Sequence, residues 1–423
     1  MTGGLDRRSL LLAGAGAGVL PALLPAPALA AAEWGPGRAD GLPMPAPLDG
    51  PSPRLPQPDP SRTLLAQGWR FHEGDVPFPK PADHNSTYLS VKAGNATGAA
   101  AFDFDDSDWA TVTLPHDWAI AQAVSPDANV SQGYRPRGIG WYRRLLRLDP
   151  AEQGRRLELQ FGGIATHATI WVNGSEVAHS WSGYSGVVVD LTPFARYGDQ
   201  LNWIAIRVDA SQREGWWYEG AGLYRHAWLV SRPAASIVTD GVHCDPVQGA
   251  DGSWQVPVSI AVDNVGPDSA ARTLAARLVD GAGRVLAQAT VEVSVAPLEQ
   301  ATAALSLVPG AVQAWSPDDP VLYTVETDLL DGGEPTDTRR IAVGFRTIRF
   351  DPDHGLFVNG VATKLKGVCI HQDHTGVGVG IPDSLALWRL QRLKAMGCNA
   401  IRMSHNAAAA EVMDWCDRLG FLV

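Results

Sequence analysis

Two β-sandwiches in series, followed by the opening strands and helices of a parallel α/β fold, are what this 423-residue sequence predicts. Three observations carry the expectation. Short alternating polar and apolar runs, divided by Gly, Pro and Asp, fill the chain from about residue 63 to residue 343. Turn formers are abundant, with 44 Gly and 31 Pro, as turn-rich β structure requires. After Phe350 the pattern becomes strand, helix, strand, helix, strand with short links, which reads as a parallel α/β unit. The chain is too long for one ordinary domain, and at 45% hydrophobic residues too apolar for disorder.

Residues 1–32 read as a signal peptide. Asp6-Arg7-Arg8-Ser9 precedes an apolar run from Leu10 to Leu24 and an Ala28-Leu29-Ala30 site. The paired arginines point to the twin-arginine type, so export to the periplasm or the medium of a bacterium is expected. Gly14, Gly16, Gly18 and Pro21 interrupt the run, and no later stretch is apolar enough for a membrane span. Residues 33–62 are crowded with proline and read as an extended linker unable to join a sheet.

Residues 63–232 form the first sandwich, a jelly roll. Leu157 to Phe161 alternates, and so does Ala168 to Val172 before Asn173-Gly174. That dipeptide marks a hairpin because both central residues need positive φ. Residues 233–345 hold about seven short strands in roughly 100 residues, the size and rhythm of an immunoglobulin-like sandwich. From residue 346 the sequence places a short buried strand over Lys364 to Ile370. A helix over Ser384 to Met396 follows, with Asp383 as cap, Gly397 as stop, and Leu385, Trp388, Leu393 and Met396 on one face. A strand over Asn399 to Met403, a helix over Ala408 to Leu419 and a third strand from Phe421 complete the unit.

The formal charge of −11 argues against a nucleic-acid partner. Cys244, Cys369, Cys398 and Cys416 show no metal spacing and are expected as buried free thiols. The 15 Trp either fill sandwich cores or stack on sugar faces.

In parallel α/β folds the chemistry sits at the carboxyl ends of the strands. His371 follows the first such strand and His405 the second, and neutral imidazoles there can hydrogen-bond substrate hydroxyls. Arg402, within the second strand, either holds a carboxylate or forms a structural ion pair. Asp373 and His374 share a loop with His371 but have no third ligand at metal spacing.

The run Asn399-Ala400-Ile401-Arg402-Met403-Ser404-His405, with Asp417 to Val423, resembles a signature of the family 2 glycoside hydrolases. Leu114 to Trp118, Gly140 to Arg144, Trp171 to Gly174, Gly220 to Arg225, Trp315 to Pro317 with Leu322-Tyr323, and Gly344 to Arg346 agree in order. The resemblance covers about residues 63 to 423. It implies a sugar-binding jelly roll, an immunoglobulin-like β-sandwich and the first strands and helices of a (β/α)8 barrel. It also implies retaining hydrolysis by two glutamates about 5 Å apart.

By that resemblance the substrate-binding residues are His371, His405, Asn406, Asp373 and Arg402, and the substrate is an oligosaccharide or β-galactoside. No organic cofactor is expected; some relatives use Mg²⁺ or Na⁺, whose ligands are not identifiable in the sequence, and an oligomer is compatible with the family. Such a barrel takes ~250 residues, so residues 346–423 are expected to be a truncated barrel with both glutamates encoded beyond Val423. The alternatives are a β-glucuronidase, a β-mannosidase, or a carbohydrate-binding protein without catalysis.

Overall fold

The computed structural model describes residues 59–423 other than Val91, Arg213 and Glu214. The expected signal peptide and the Pro-rich stretch as far as residue 58 lie outside the described residues.

The first sandwich packs two antiparallel sheets. One runs in the order Arg62–Leu64, Ala227–Arg232, Arg156–Phe161, Val187–Asp190. The other runs Ala110–Val112, Trp69–Glu73, Ile139–Arg147, Leu201–Asp209, His167–Val172, Ser175–Ser180. The first strand begins at Arg62, inside the stretch expected to stay out of sheets, because the prolines end at Pro60 and Arg62 pairs with Val230. The Asn173-Gly174 turn joins the last two strands with both residues at positive φ, 52° and 77°. Alternate residues Ala168, Ile170, Ile206 and Val208 face the other sheet, where Leu157, Leu159 and Phe161 meet them in one buried core. Glu158 and Gln160, which alternation would leave in water, are buried as well. They bond each other and Thr239, the start of the next sandwich.

The second sandwich sets Ala235–Cys244, Trp254–Asn264 and Gln300–Leu307 against Val285–Val295, Ala270–Val279, Tyr323–Asp331 and Glu334–Val343. Its core is aliphatic, with Tyr323 and Phe345 edge-to-face at 5.1 Å.

The α/β segment follows a small antiparallel sheet (Ile348–Asp351, Gly355–Val358, Val361–Ala362). Gly367–Ile370 and Ala400–Met403 are parallel, with Cys369 opposite Arg402. Leu422 bridges Ala400 in parallel, the position of a third strand. The helices are Asp383–Ala395 and Ala410–Leu419, closed by Gly397 and Gly420 at positive φ, 85° and 74°.

Four expectations need correction here. Asp383 does not cap its helix: Pro382 holds the cap position, and the Asp383 carboxylate lies 2.9 Å from His226 Nε2. The inward face carries Leu387, Leu390 and Leu393, while Trp388 and Met396 are exposed, because the partners that bury the helix (Ile401, Trp415, Phe421) lie on that side. The Gly367–Ile370 strand is shorter than expected and mostly exposed, since only one face meets the helices and one edge is paired. Cys369 lies on its open face, so only Cys416 of the four free thiols is fully buried.

The second sandwich docks this segment through its Trp315-Ser316-Pro317 turn. Trp315 Nε1 donates to the Asp417 carbonyl at 2.9 Å, and Lys394 Nζ donates to the carbonyls of Pro317 (2.7 Å) and Gly420 (3.0 Å).

Candidate active site

Cys369 and Arg402 face away from the helices, because Ile370, Ile401 and Met403 of the same strands pack into the helix core. Continuing each strand brings His371 and His405 together. Their ring centroids are 5.4 Å apart and nearly perpendicular, at 79°. The peptide before His405 is cis.

A third ring joins them. Trp217, from the loop after the Leu201–Asp209 strand of the first sandwich, sits edge-to-face on His371 at 5.3 Å and on His405 at 4.7 Å. His371 Nδ1 is shielded from solvent and has no hydrogen-bond partner among the described residues, an unmet polar atom beside the Trp217 and His405 rings. The pKa of His405 is lowered by desolvation, then by Arg402 and His371. That keeps its ring neutral further into acid, able to accept from or donate to a sugar hydroxyl. Cys369 is shifted down by its hydrogen bonds to Ser404 and Arg402.

Long-range polar contacts fix the arrangement. The Asp117 carboxylate accepts from four donors: Ala119 N, Ala221 N, Val379 N (3.0 Å each) and Tyr218 Oη (2.7 Å). It thus ties its own turn to the Trp217 loop and to the 375–380 loop of the α/β segment. The approach is close enough that a Cβ at Gly220 would overlap Val379 and Asp117, and one at Gly378 would overlap Asp117. Burial raises the Asp117 pKa despite these donors.

Arg225 performs a second clamping role. Its Nη2 donates to Gln372 Oε1 and, at 2.8 Å, to the Ala407 carbonyl, which also accepts from Gln372 Nε2 at 2.8 Å. One guanidinium therefore binds the loops that follow both histidines. From the helix side, Arg389 donates to the carbonyls of Asp373 (3.0 Å) and His371 (3.5 Å).

Of the sequence-derived residues, His371 and His405 meet, and Asn406 follows in the same loop. Arg402 lies on the open face, with Nη1 3.3 Å from Ser404 Oγ and 3.8 Å from Cys369 Sγ. Asp373 is anchored through its carbonyl, and His374 Nδ1 turns to the Thr375 carbonyl at 2.9 Å. Among the described residues no three His, Cys, Asp or Glu side chains converge as cation ligands. Sequence reasoning missed Trp217, Asp117, Arg225 and Arg389. The first three lie in or beside conspicuous runs, Trp216-Trp217-Tyr218, Leu114 to Trp118 and Gly220 to Arg225, but nothing local says that these runs meet the histidines.

Three domain models of one family match in the order the fold displays. The galactose-binding-like domain of glycosyl hydrolase family 2 matches residues 139–228, the family 2 domain 237–346 and the family 2 TIM barrel domain 352–423. The chain belongs to glycosyl hydrolase family 2. A family 2 β-galactosidase of Bacteroides ovatus is 32% identical over 358 residues, covering 84% of this chain and 40% of that protein. A solved family 2 member from Bacteroides cellulosilyticus superposes with a TM-score of 0.76 at 32% identity, over 86% of this chain and 45% of that one. A β-glucuronidase of Bacteroides uniformis gives 0.75 at 28% identity, over 85% of this chain and 41% of that one. The chain thus spans less than half the length of these relatives. Among its described residues no helix is long and apolar enough to cross a membrane.

Proposed function

We propose that this chain forms the sugar-binding part of an exported, retaining exo-β-glycosidase that acts on terminal β-galactosides. The supporting observation is the pair of imidazoles meeting over one indole at the ends of adjacent parallel strands. Trp217 offers an apolar indole to the C–H face of a sugar, and His371 and His405 offer nitrogen atoms to its hydroxyls. Retaining hydrolysis also needs a nucleophilic and an acid/base carboxyl group about 5 Å apart. On this reading, glutamates outside these 423 residues supply both, and the chain alone leaves an aryl β-galactoside intact.

Calorimetric titration with a non-hydrolysable β-galactoside, beside the matching β-glucuronide and β-mannoside, tests the assignment. The galactoside is expected to bind best, and His371→Ala and His405→Ala each to weaken it about tenfold. Binding unaffected by either substitution, or hydrolysis by the purified chain, would refute it.

A β-glucuronidase is the second reading. It is favoured by Arg402, exposed on the site face and bonded, among the described residues, only to neutral groups. Preferential binding of the glucuronide, lost in Arg402→Ala, would select it.

A further inference from the structure

The outer face of the six-stranded sheet is divided. Toward one side Trp141 and Trp171 stack at 5.6 Å and 20°, with Trp109 and the chain around Ala99-Ala100 completing a buried cluster. Toward the other side the face is only partly covered: Arg207 is held by Asp75 at 3.0 Å, whereas His179 is exposed. There His179, Thr169 and Arg207 lie in register across three strands, and His167 pairs with Asp209 in the next row. Trp181, just beyond the Ser175–Ser180 strand, is 72% exposed.

Trp181 is exposed yet supported. The His179 ring stacks on it at 5.7 Å and 18°, and His167 meets it edge-on at 5.6 Å. His179 is itself held by Glu176 Oε1 at 2.7 Å and Thr169 Oγ1 at 3.2 Å. An indole backed on one face and open on the other loses little freedom when a ligand covers it. Beside its supporting His179 stand Glu176 and Thr169, and Arg207, whose guanidinium is held by Asp75 at 3.0 Å, follows Thr169 in register on the next strand. A flat apolar ring bordered by such side chains complements a pyranose, whose C–H face is apolar and whose rim carries hydroxyls.

We propose that Trp181 and this strip form a second saccharide-binding site, which takes neutral oligo- or polysaccharide chains away from the histidine pair. The Leu201–Asp209 strand runs directly into the Trp217 loop, and Ala165, two residues before His167, bridges Gly222 in that loop. The strip therefore lies at the end of the sandwich that reaches the histidines, suited to hold a glycan whose terminus is presented there. The proposal rests on the reading of the chain as carbohydrate-active but not on the roles of His371 and His405.

Native electrophoresis in gels containing soluble galactan, xylan or β-glucan separates the two. At least one polymer is expected to retard the full chain. Trp181→Ala should weaken that retention about tenfold, Trp181→Phe should keep most of it, and the His371→Ala/His405→Ala double variant should still be retarded, losing at most the share its histidines contribute by binding chain ends. Unchanged near-ultraviolet circular dichroism apart from the lost indole signal would verify folding of the Trp181 variants. Equal retention of Trp181→Ala and parent, loss confined to the histidine variant, or no retention by any polymer would each overturn the proposal. The last result would leave small-glycoside binding at the histidines intact.

Discussion

The first sandwich and the α/β segment are held by different forces. In the sandwich, two sheets close over a continuous core that runs from Leu65 to Ala227. In the α/β segment a handful of side chains (Leu390, Ile401, Trp415, Cys416 and Phe421) are fully buried, and the Gly367–Ile370 strand is largely open to solvent. The segment is positioned instead by polar contacts reaching out from the sandwiches: Asp117, Arg225, His226 with Asp383, Trp315 and the Pro317 carbonyl. The difference teaches that the candidate site is built by docking as much as by its own strands. Both loops that follow the histidines are gripped by one jelly-roll arginine, and the ring that meets both imidazoles also comes from that sandwich.

Limited trypsin digestion should break or sustain this contrast most visibly. Residues 364–423 are expected to be lost before either sandwich is cut, because few of their apolar groups are buried. Equal resistance of all three parts would end the comparison.

Asp117→Ala should have the next largest effect. It leaves three N–H groups and the Tyr218 hydroxyl without their acceptor, a cost of about 3–5 kcal/mol in urea unfolding, together with changed Trp217 fluorescence. A loss below about 1 kcal/mol would show that the segment docks without this carboxylate.

Acid tests the sandwich side. Burial lowers the His116 pKa from 6.5 to about 4, with its Nδ1 2.7 Å from Tyr142 Oη. The unfolded chain then binds this proton more readily than the folded one. Stability is complete above pH 6.5 and falls as pH drops toward 4, by up to about 3 kcal/mol. Asp117, raised by burial, works in the opposite sense. The difference between the parent and His116→Gln in urea unfolding at pH 7 and pH 4.5 isolates the histidine.

Asp383→Ala should have the smallest effect, below about 1 kcal/mol, since its carboxylate is half exposed. The Asp383 hydrogen bond raises the His226 pKa, so this contribution is present below the unfolded value and fades as pH rises through the folded one. A cost equal at pH 5.5 and pH 8.5 would instead favour a plain helix-end role.

Much of the fold was legible in the sequence because its rules are local. Period-two alternation marked the strands, Asn173-Gly174 marked a hairpin, and Gly397 and Gly420 marked helix ends, each acting over a few residues. The strand-end positions of His371 and His405 follow from the same reading. Local rules failed where a distant neighbour decides. The phase of the Asp383–Ala395 helix depended on which side Trp415 and Phe421 occupy, and Asp383 was drawn from capping to His226.

The sequence by itself determined the succession of two sandwiches and a parallel α/β unit, and the placing of one imidazole after each of two parallel strands. Only the tertiary structure decided that Trp217 meets both imidazoles, and that Asp117 and Arg225 bind the loops around them. Those contacts join residues 101 to 262 positions apart, a separation at which no backbone periodicity or turn preference acts and only packing and hydrogen-bond geometry select partners.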